Sequence, residues 1–186
     1  YPQTNCQKEC CINARNHTAT PTYVSSLGIV DLNSNKYYMI DCTPDFGQQL
    51  NIMSTYAYER GQLPSGIFLT HAHIGHYFGL AQLGKEVINA NKVPIYAMPN
   101  MTKFIEKNGP WEQLVTNNNI DLKPLNNERS IRLSDHLSIT PILVPHRDEY
   151  SETVGFFIKG MRESLLYIPD IDKWEKWDRD ILKAIE

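Results

Sequence analysis

A layered α/β domain is the architecture this sequence predicts, on three observations. Short runs rich in Ile, Val, Tyr and Phe alternate with helix signals, no repeat or low-complexity tract interrupts them, and no long Pro/Gly/Ser linker divides the chain. The strands are expected at residues 23–30, 36–40, 66–70, 93–97, 138–144, 153–158 and 164–168. Asn33, Ser34 and Asn35 separate the first two, and such residues satisfy turn backbones with their own side chains, so those strands should pair as an antiparallel hairpin. Helices are expected after Thr43, where Pro44 suits a first helical position, from His76 to Asn89, after Pro99, and from Asp172 to the end. In the last, Trp174, Trp177 and Ile181 recur at helical spacing and read as core packing.

Composition narrows the function. The 186 residues are 41% hydrophobic, enough for one buried core, so one domain over 1–186 is expected. Charged residues make up 21% with a formal net charge of -3, which offers no basic surface for nucleic acid or anionic membranes. No apolar run approaches the roughly 20 residues of a membrane span, and the start of the chain lacks a signal pattern. The expectation is a soluble protein, cytoplasmic or periplasmic, with a small-molecule substrate and with a homo-oligomer as an open alternative. The chain begins on Tyr1 rather than Met and ends on Glu186 in a helix-like stretch, so it reads as a fragment.

Half of the six histidines lie within six positions. The apolar strand 66–70 runs directly into His71, His73 and His76, with a helix signal following. In an extended loop His71 and His73 project to one side, and His76 can turn back from the first helical turn to meet them. Three converging imidazoles suit zinc or a similar metal with a position left for water; the alternative is a set of surface or hydrogen-bonded histidines. His17 and His136 stand in no motif and are expected to be ordinary surface histidines.

Residues 69–79 resemble the HxHxDH motif of the metallo-β-lactamase superfamily, in which the first two histidines hold one metal and the Asp-His pair a second. The resemblance implies a metallo-β-lactamase-like αββα sandwich, incomplete at one or both termini. Gly75 occupies the Asp position and carries no donor. His146, just after the strand 138–144, matches the superfamily's next histidine ligand. Asp170 matches the bridging carboxylate, with a helix-capping Asp as the alternative. No histidine follows His146 to supply the superfamily's last ligand, and the opening hairpin of the fold would precede Tyr1.

Within the superfamily, the chain is most similar to the coenzyme PQQ synthesis protein B group. The segments that carry the likeness are Tyr1-Pro2-Gln3 with the cysteines after it, Asp41-Cys42-Thr43-Pro44-Asp45-Phe46, the histidine motif, and His146-Arg147-Asp148-Glu149. That group and the related phosphonate-pathway cyclic phosphodiesterase carry an early cysteine cluster binding structural zinc. Cys6, Cys10 and Cys11 are the candidates here, against free thiols or one disulfide. Cys42 reads as a buried small residue.

The function implied is metal-dependent hydrolysis. His71, His73 and His146 would hold zinc, and His146 and Asp170 would be the catalytic pair. A second ion on His76 and Asp170 would bind weakly or not at all for want of a carboxylate at Gly75. Iron or manganese could replace zinc. Asp148 and Glu149 are either a solvated acidic turn or extra ligands or proton donors. Two other classes stay open: an iron-dependent oxidoreductase and a non-catalytic metal-binding module.

Overall fold

Two β-sheets packed face to face organise the computed structural model, which describes residues 2–16, 21–59 and 61–181. After a helix α1 (Glu9–Asn16), the first sheet is built from β1 (Leu27–Asp31), β2 (Lys36–Ile40), β3 (Ile67–Phe68), β4 (Val93–Ala97) and β5 (Ile120–Pro124), in that spatial order. β1 and β2 form the expected antiparallel hairpin, with Gly28 opposite Met39, while β2 to β5 run parallel. Helices α2 (Phe46–Ser54), α3 (Ile74–Tyr77), α4 (Pro99–Lys107) and α5 (Trp111–Thr116) supply the crossovers, as parallel strands require. The second sheet is an antiparallel meander of β6 (Ile131–Arg132), β7 (Ser138–Leu143), β8 (Val154–Lys159) and β9 (Ser164–Tyr167).

Alternation along β2 explains the layering. Tyr37 and Met39 point to the helical side, packing with Phe46, Leu80, Leu83, Met101 and Ile105. Tyr38 and Ile40 point between the sheets, against Phe68, Ile139, Val154 and Phe156. There Phe68 stacks on Tyr96 at 4.3 Å and meets Phe156 edge-on across the sheets at 5.7 Å. The far face of the second sheet is covered by Ile142 and Val144 packing with Trp177 and Ile181.

Three helical expectations need correction. The helix from His76 to Asn89 is one α-helical turn, α3, continued by a 3₁₀ turn at Phe78–Leu83, because this segment must pass close to the end of β2. Gly79 sits so near that a Cβ would come within 2.2 Å of the Thr43 carbonyl oxygen. The helix expected from Asp172 is a 3₁₀ turn at Trp174–Lys176, with α-helix not reached before Ile181; residues 182–186 lie outside the described ones. Of its aromatic stripe, Trp177 is buried while Trp174 is half exposed. α2 starts at Phe46 rather than Pro44, since Asp45 turns its carboxylate to the Val24 amide at 2.8 Å. The strand expected at 23–30 begins only at Leu27. α1, α5, β5 and β6 are elements the patterns did not separate, each short or weakly apolar. Tyr1 and His17 lie outside the described residues.

Candidate metal centre

The candidate residues meet at the C-terminal edge of the parallel strands, where the second sheet closes over the first. β3 delivers Thr70 and His71, and the Val154 amide of β8 donates to the Thr70 carbonyl at 3.1 Å. The loop after β7 brings His146. The loop after β9 brings Asp170 and is tied to its neighbour by the Asp172 amide on the Pro145 carbonyl at 2.9 Å.

Four donor atoms, one each from His71, His73, His146 and Asp170, all lie within 4.8 Å of one another. His71 Nε2 and His73 Nδ1 are 2.8 Å apart, and His146 Nε2 is 3.3 Å from His73 Nδ1. Asp170 Oδ2 is 3.5 Å from His71 Nε2 and 3.6 Å from His146 Nε2. Donors at about 2.0–2.1 Å from a tetrahedral zinc stand about 3.4 Å apart, close to three of these separations, while the His71 to His73 pair at 2.8 Å would open slightly around an ion.

Proton placement makes the same case. Thr70 Oγ1 gives its proton to the Asp41 carboxylate at 2.9 and 3.0 Å, so at 3.0 Å from His71 Nδ1 it must accept the N–H of that ring. Glu149 Oε2 accepts the N–H of His73 Nε2 at 2.9 Å. With their protons drawn outward, His71 Nε2 and His73 Nδ1 face each other as lone pairs, an unfavourable contact that a cation relieves. His146 Nδ1 is buried without a hydrogen-bond partner; Asp172 Oδ1, at 3.4 Å, offers charge but not bond geometry.

His76 stands apart from this group. Its Nδ1 lies 2.7 Å from Asp41 Oδ2 and its Nε2 3.3 Å from Asp170 Oδ2, so both nitrogens face carboxylates. Burial pulls its pKa down, but the Asp170 and Asp41 carboxylates prevail and hold it up at about 10. Asp170 answers in the other direction: its contacts with the His71 and His76 rings keep its carboxyl well below the ordinary range. Burial lowers the His71 pKa, which favours the neutral ring a ligand needs. Gly75 has open space on its Cβ side, with Val24 Cγ1 at 3.8 Å as the nearest atom, so no bulk forbids a side chain there.

The supporting groups were the least visible in the sequence. Asp41 is fully buried at φ 65°, and its carboxylate also accepts the Thr70 amide at 2.9 Å. Its signal was a lone acid closing the apolar strand 36–40. Glu149 orients His73, whereas Asp148 accepts the Thr153 hydroxyl at 2.7 Å and faces away. Ser151 receives the Ala72 amide at 2.8 Å and Glu152 the Asn100 amide at 3.0 Å, which fastens this loop to the histidine turn and to α4.

Elsewhere, Cys6, Cys10 and Cys11 are free thiols, with Cys42 free and buried. The Gln3 backbone and the Cys6 thiol, both hydrogen-bonded to Cys11, lower its pKa, so the three early thiols form one group. His136 lines a cleft of about 510 Å³ with Arg132 and Lys159, at the opposite end of the second sheet from the histidines. Among the described residues no helix is long and apolar enough to cross a membrane.

Comparison with known proteins supplies the lineage. Residues 36–186 match the family described as beta-lactamase superfamily domain. Zn(2+)-bound PqqB from Methylobacterium extorquens is similar at 20% identity and TM-score 0.75, over 94% of this chain and 63% of that one. A diphosphatase from the PhnP family is similar at 19% identity and TM-score 0.61, over 84% of this chain and 56% of that one. MEM-A1, a subclass B3 metallo-β-lactamase from a soil metagenome library, is similar at 13% identity and TM-score 0.56, over 79% and 57%. At these identities the likeness is one of fold, and the chain spans less than two thirds of the length of these proteins. A search of curated proteins finds no match.

Proposed function

The chain belongs to the beta-lactamase superfamily domain family, and on that premise we propose a zinc-dependent hydrolase acting on an ester, phosphodiester or related bond of a small-molecule substrate. Residues 1–186 form a single domain of it in this reading. The observation that carries the proposal is the pair of inward lone pairs on His71 and His73, 2.8 Å apart, completed by His146 and Asp170.

His71 Nε2, His73 Nδ1 and His146 Nε2 would hold the ion with Asp170 beside it, a set of three nitrogens that suits zinc and leaves a position for water, with iron or manganese as substitutes. What zinc supplies when bound is Lewis acidity, which makes water nucleophilic near neutral pH. The chain's own groups do the rest. Asp41, through Thr70, keeps the outer nitrogen of His71 protonated, and Glu149 does so for His73. His76 holds Asp170 ionised and aimed inward, where the carboxylate accepts a hydrogen bond from the attacking water. His146 closes the cluster from the second sheet and keeps the attack over one spot.

One ion, rather than two, is the reading for this centre. Gly75 offers no donor, and both nitrogens of His76 are committed to Asp41 and Asp170. The early thiols of Cys6, Cys10 and Cys11 are proposed as a separate structural zinc site.

Metal analysis of the purified protein tests this. The expected result is two zinc equivalents, of which one is lost in His146→Ala, together with turnover of generic aryl ester or phosphodiester substrates. At free zinc about 100-fold above its Kd, chelation should remove about 2.7 kcal/mol of stability. Metal content and melting temperature that do not respond to His146→Ala or to chelation would overturn the proposal.

A further inference from the structure

We propose that an apolar wall beside the histidines, formed by Ile74, Phe78, Phe104, Trp111 and Tyr150, receives an aromatic group of the substrate. The inference rests on the hydrolase reading and narrows it to aryl-substituted substrates.

Placement comes first. Ile74 directly follows His73 and Tyr150 directly follows Glu149, so the wall starts on both sides of the His73 to Glu149 hydrogen bond, 2.9 Å long. Phe78 follows Ile74 by four residues, one helical turn further along the same segment. The rings then run without a break: Tyr150 to Phe104 at 5.7 Å, Phe104 to Trp111 at 6.1 Å, and Trp111 to Phe78 at 6.4 Å. Buried Tyr77 backs this row, meeting Phe104 at 5.2 Å and Trp111 at 5.0 Å. The Asn100 amide, bonded to Glu152, holds the start of α4 against the loop that carries Glu149, so the wall and the donor atoms share one rim.

Exposure is the second observation. Tyr150 is 67% exposed, Ile74 64% and Phe78 48%, and they mark the ends of a ring row whose middle is half-buried. A contiguous apolar surface left open to water at the edge of a polar centre is the usual mark of a ligand site. The remaining faces of these rings favour a planar partner, by offset or edge-on contact, over an alkyl chain of similar reach. The polar centre takes the reacting group and the wall takes the aryl substituent next to it.

Two non-hydrolysable probes test this on zinc-loaded protein by calorimetric titration: phenylphosphonate and methylphosphonate. The expected result is phenylphosphonate binding about ten-fold tighter or more, with the ratio of the two affinities falling toward one in Tyr150→Ala and in Phe78→Ala. Equal affinities in the unmutated protein, or a preference that survives both substitutions, would overturn the inference. If light scattering instead shows a dimer that Tyr150→Ala dissolves while the preference stays, the wall is an interface between copies and the inference is wrong. Zinc held without aryl preference removes this inference alone, whereas absence of zinc removes the hydrolase reading with it.

Discussion

The two halves of the histidine centre are built to different standards. On the inner half, His71 and Asp41 are almost without solvent contact, His76 is nearly so, and Asp41 is bonded by the Thr70 amide, the Thr70 hydroxyl and His76. On the outer half, His73 is oriented by Glu149, whose side chain is 48% exposed, and His146 faces Asp172 without a hydrogen bond. The inner half is a continuation of the core strands β2 and β3; the outer half is held by the loop between β7 and β8. Loss on the inner side should therefore damage fold and site together, and loss on the outer side the site alone.

Asp41→Ala should have the largest effect. It leaves buried His76 and Thr70 without their acceptor, and breaking a buried pair costs about 3–5 kcal/mol. Urea unfolding of the metal-free protein measures it, and a loss under 1 kcal/mol would erase the distinction between the halves. Gly79→Ala should come next, at about 1–3 kcal/mol, because its Cβ would strike the Thr43 carbonyl and spread the brace formed by the Gly79 amide on the Cys42 carbonyl and the Cys42 amide on the His76 carbonyl. Thermal melts give the size, and the neighbouring metal affinity should fall with it.

Glu149→Gln should reverse the pattern. With a weaker acceptor on His73 Nε2, zinc affinity should drop about 10–100-fold, while the melting temperature of the metal-free protein stays where it was. Competition with a chromophoric chelator reads the affinity, and a parallel fall in metal-free melting temperature would show that the outer half also carries fold stability. The smallest structural effect belongs to Gly75→Asp, where the open space on the Cβ side predicts a stability change within about 0.5 kcal/mol. Its chemical effect should be a gain of zinc, since a carboxylate there would add the missing donor beside His76 and Asp170. Zinc content unchanged by this substitution would mean that Asp41 and His76 alone keep the centre single.

Much of the centre was legible because it is local. The apolar strand ending in His71, His73 and His76 is contiguous in sequence, and period-two projection places the first two side by side whatever the rest of the chain does. His146 and Asp170 were reached through the family resemblance, which expects ligands just after apolar strands. The carboxylate that pairs with His76 was not legible. It is that of Asp41, some thirty residues earlier, which a local pattern cannot pair with either ring. The helical misreadings have a similar origin, since residues 76–89 have helix-compatible composition, but the close approach at Gly79 tightens them into a 3₁₀ turn.

By itself, then, the sequence determined the layered α/β class, the β1 and β2 hairpin and the strand-end position of the histidines, because these follow from short-range alternation and turn chemistry. Only the tertiary structure decided which nitrogens face inward, that His76 is paired by Asp41 and Asp170, and that Glu149 rather than Asp148 supports His73. Proton placement on an imidazole follows from the acceptor on its far side, and in this protein those acceptors arrive from other strands and loops.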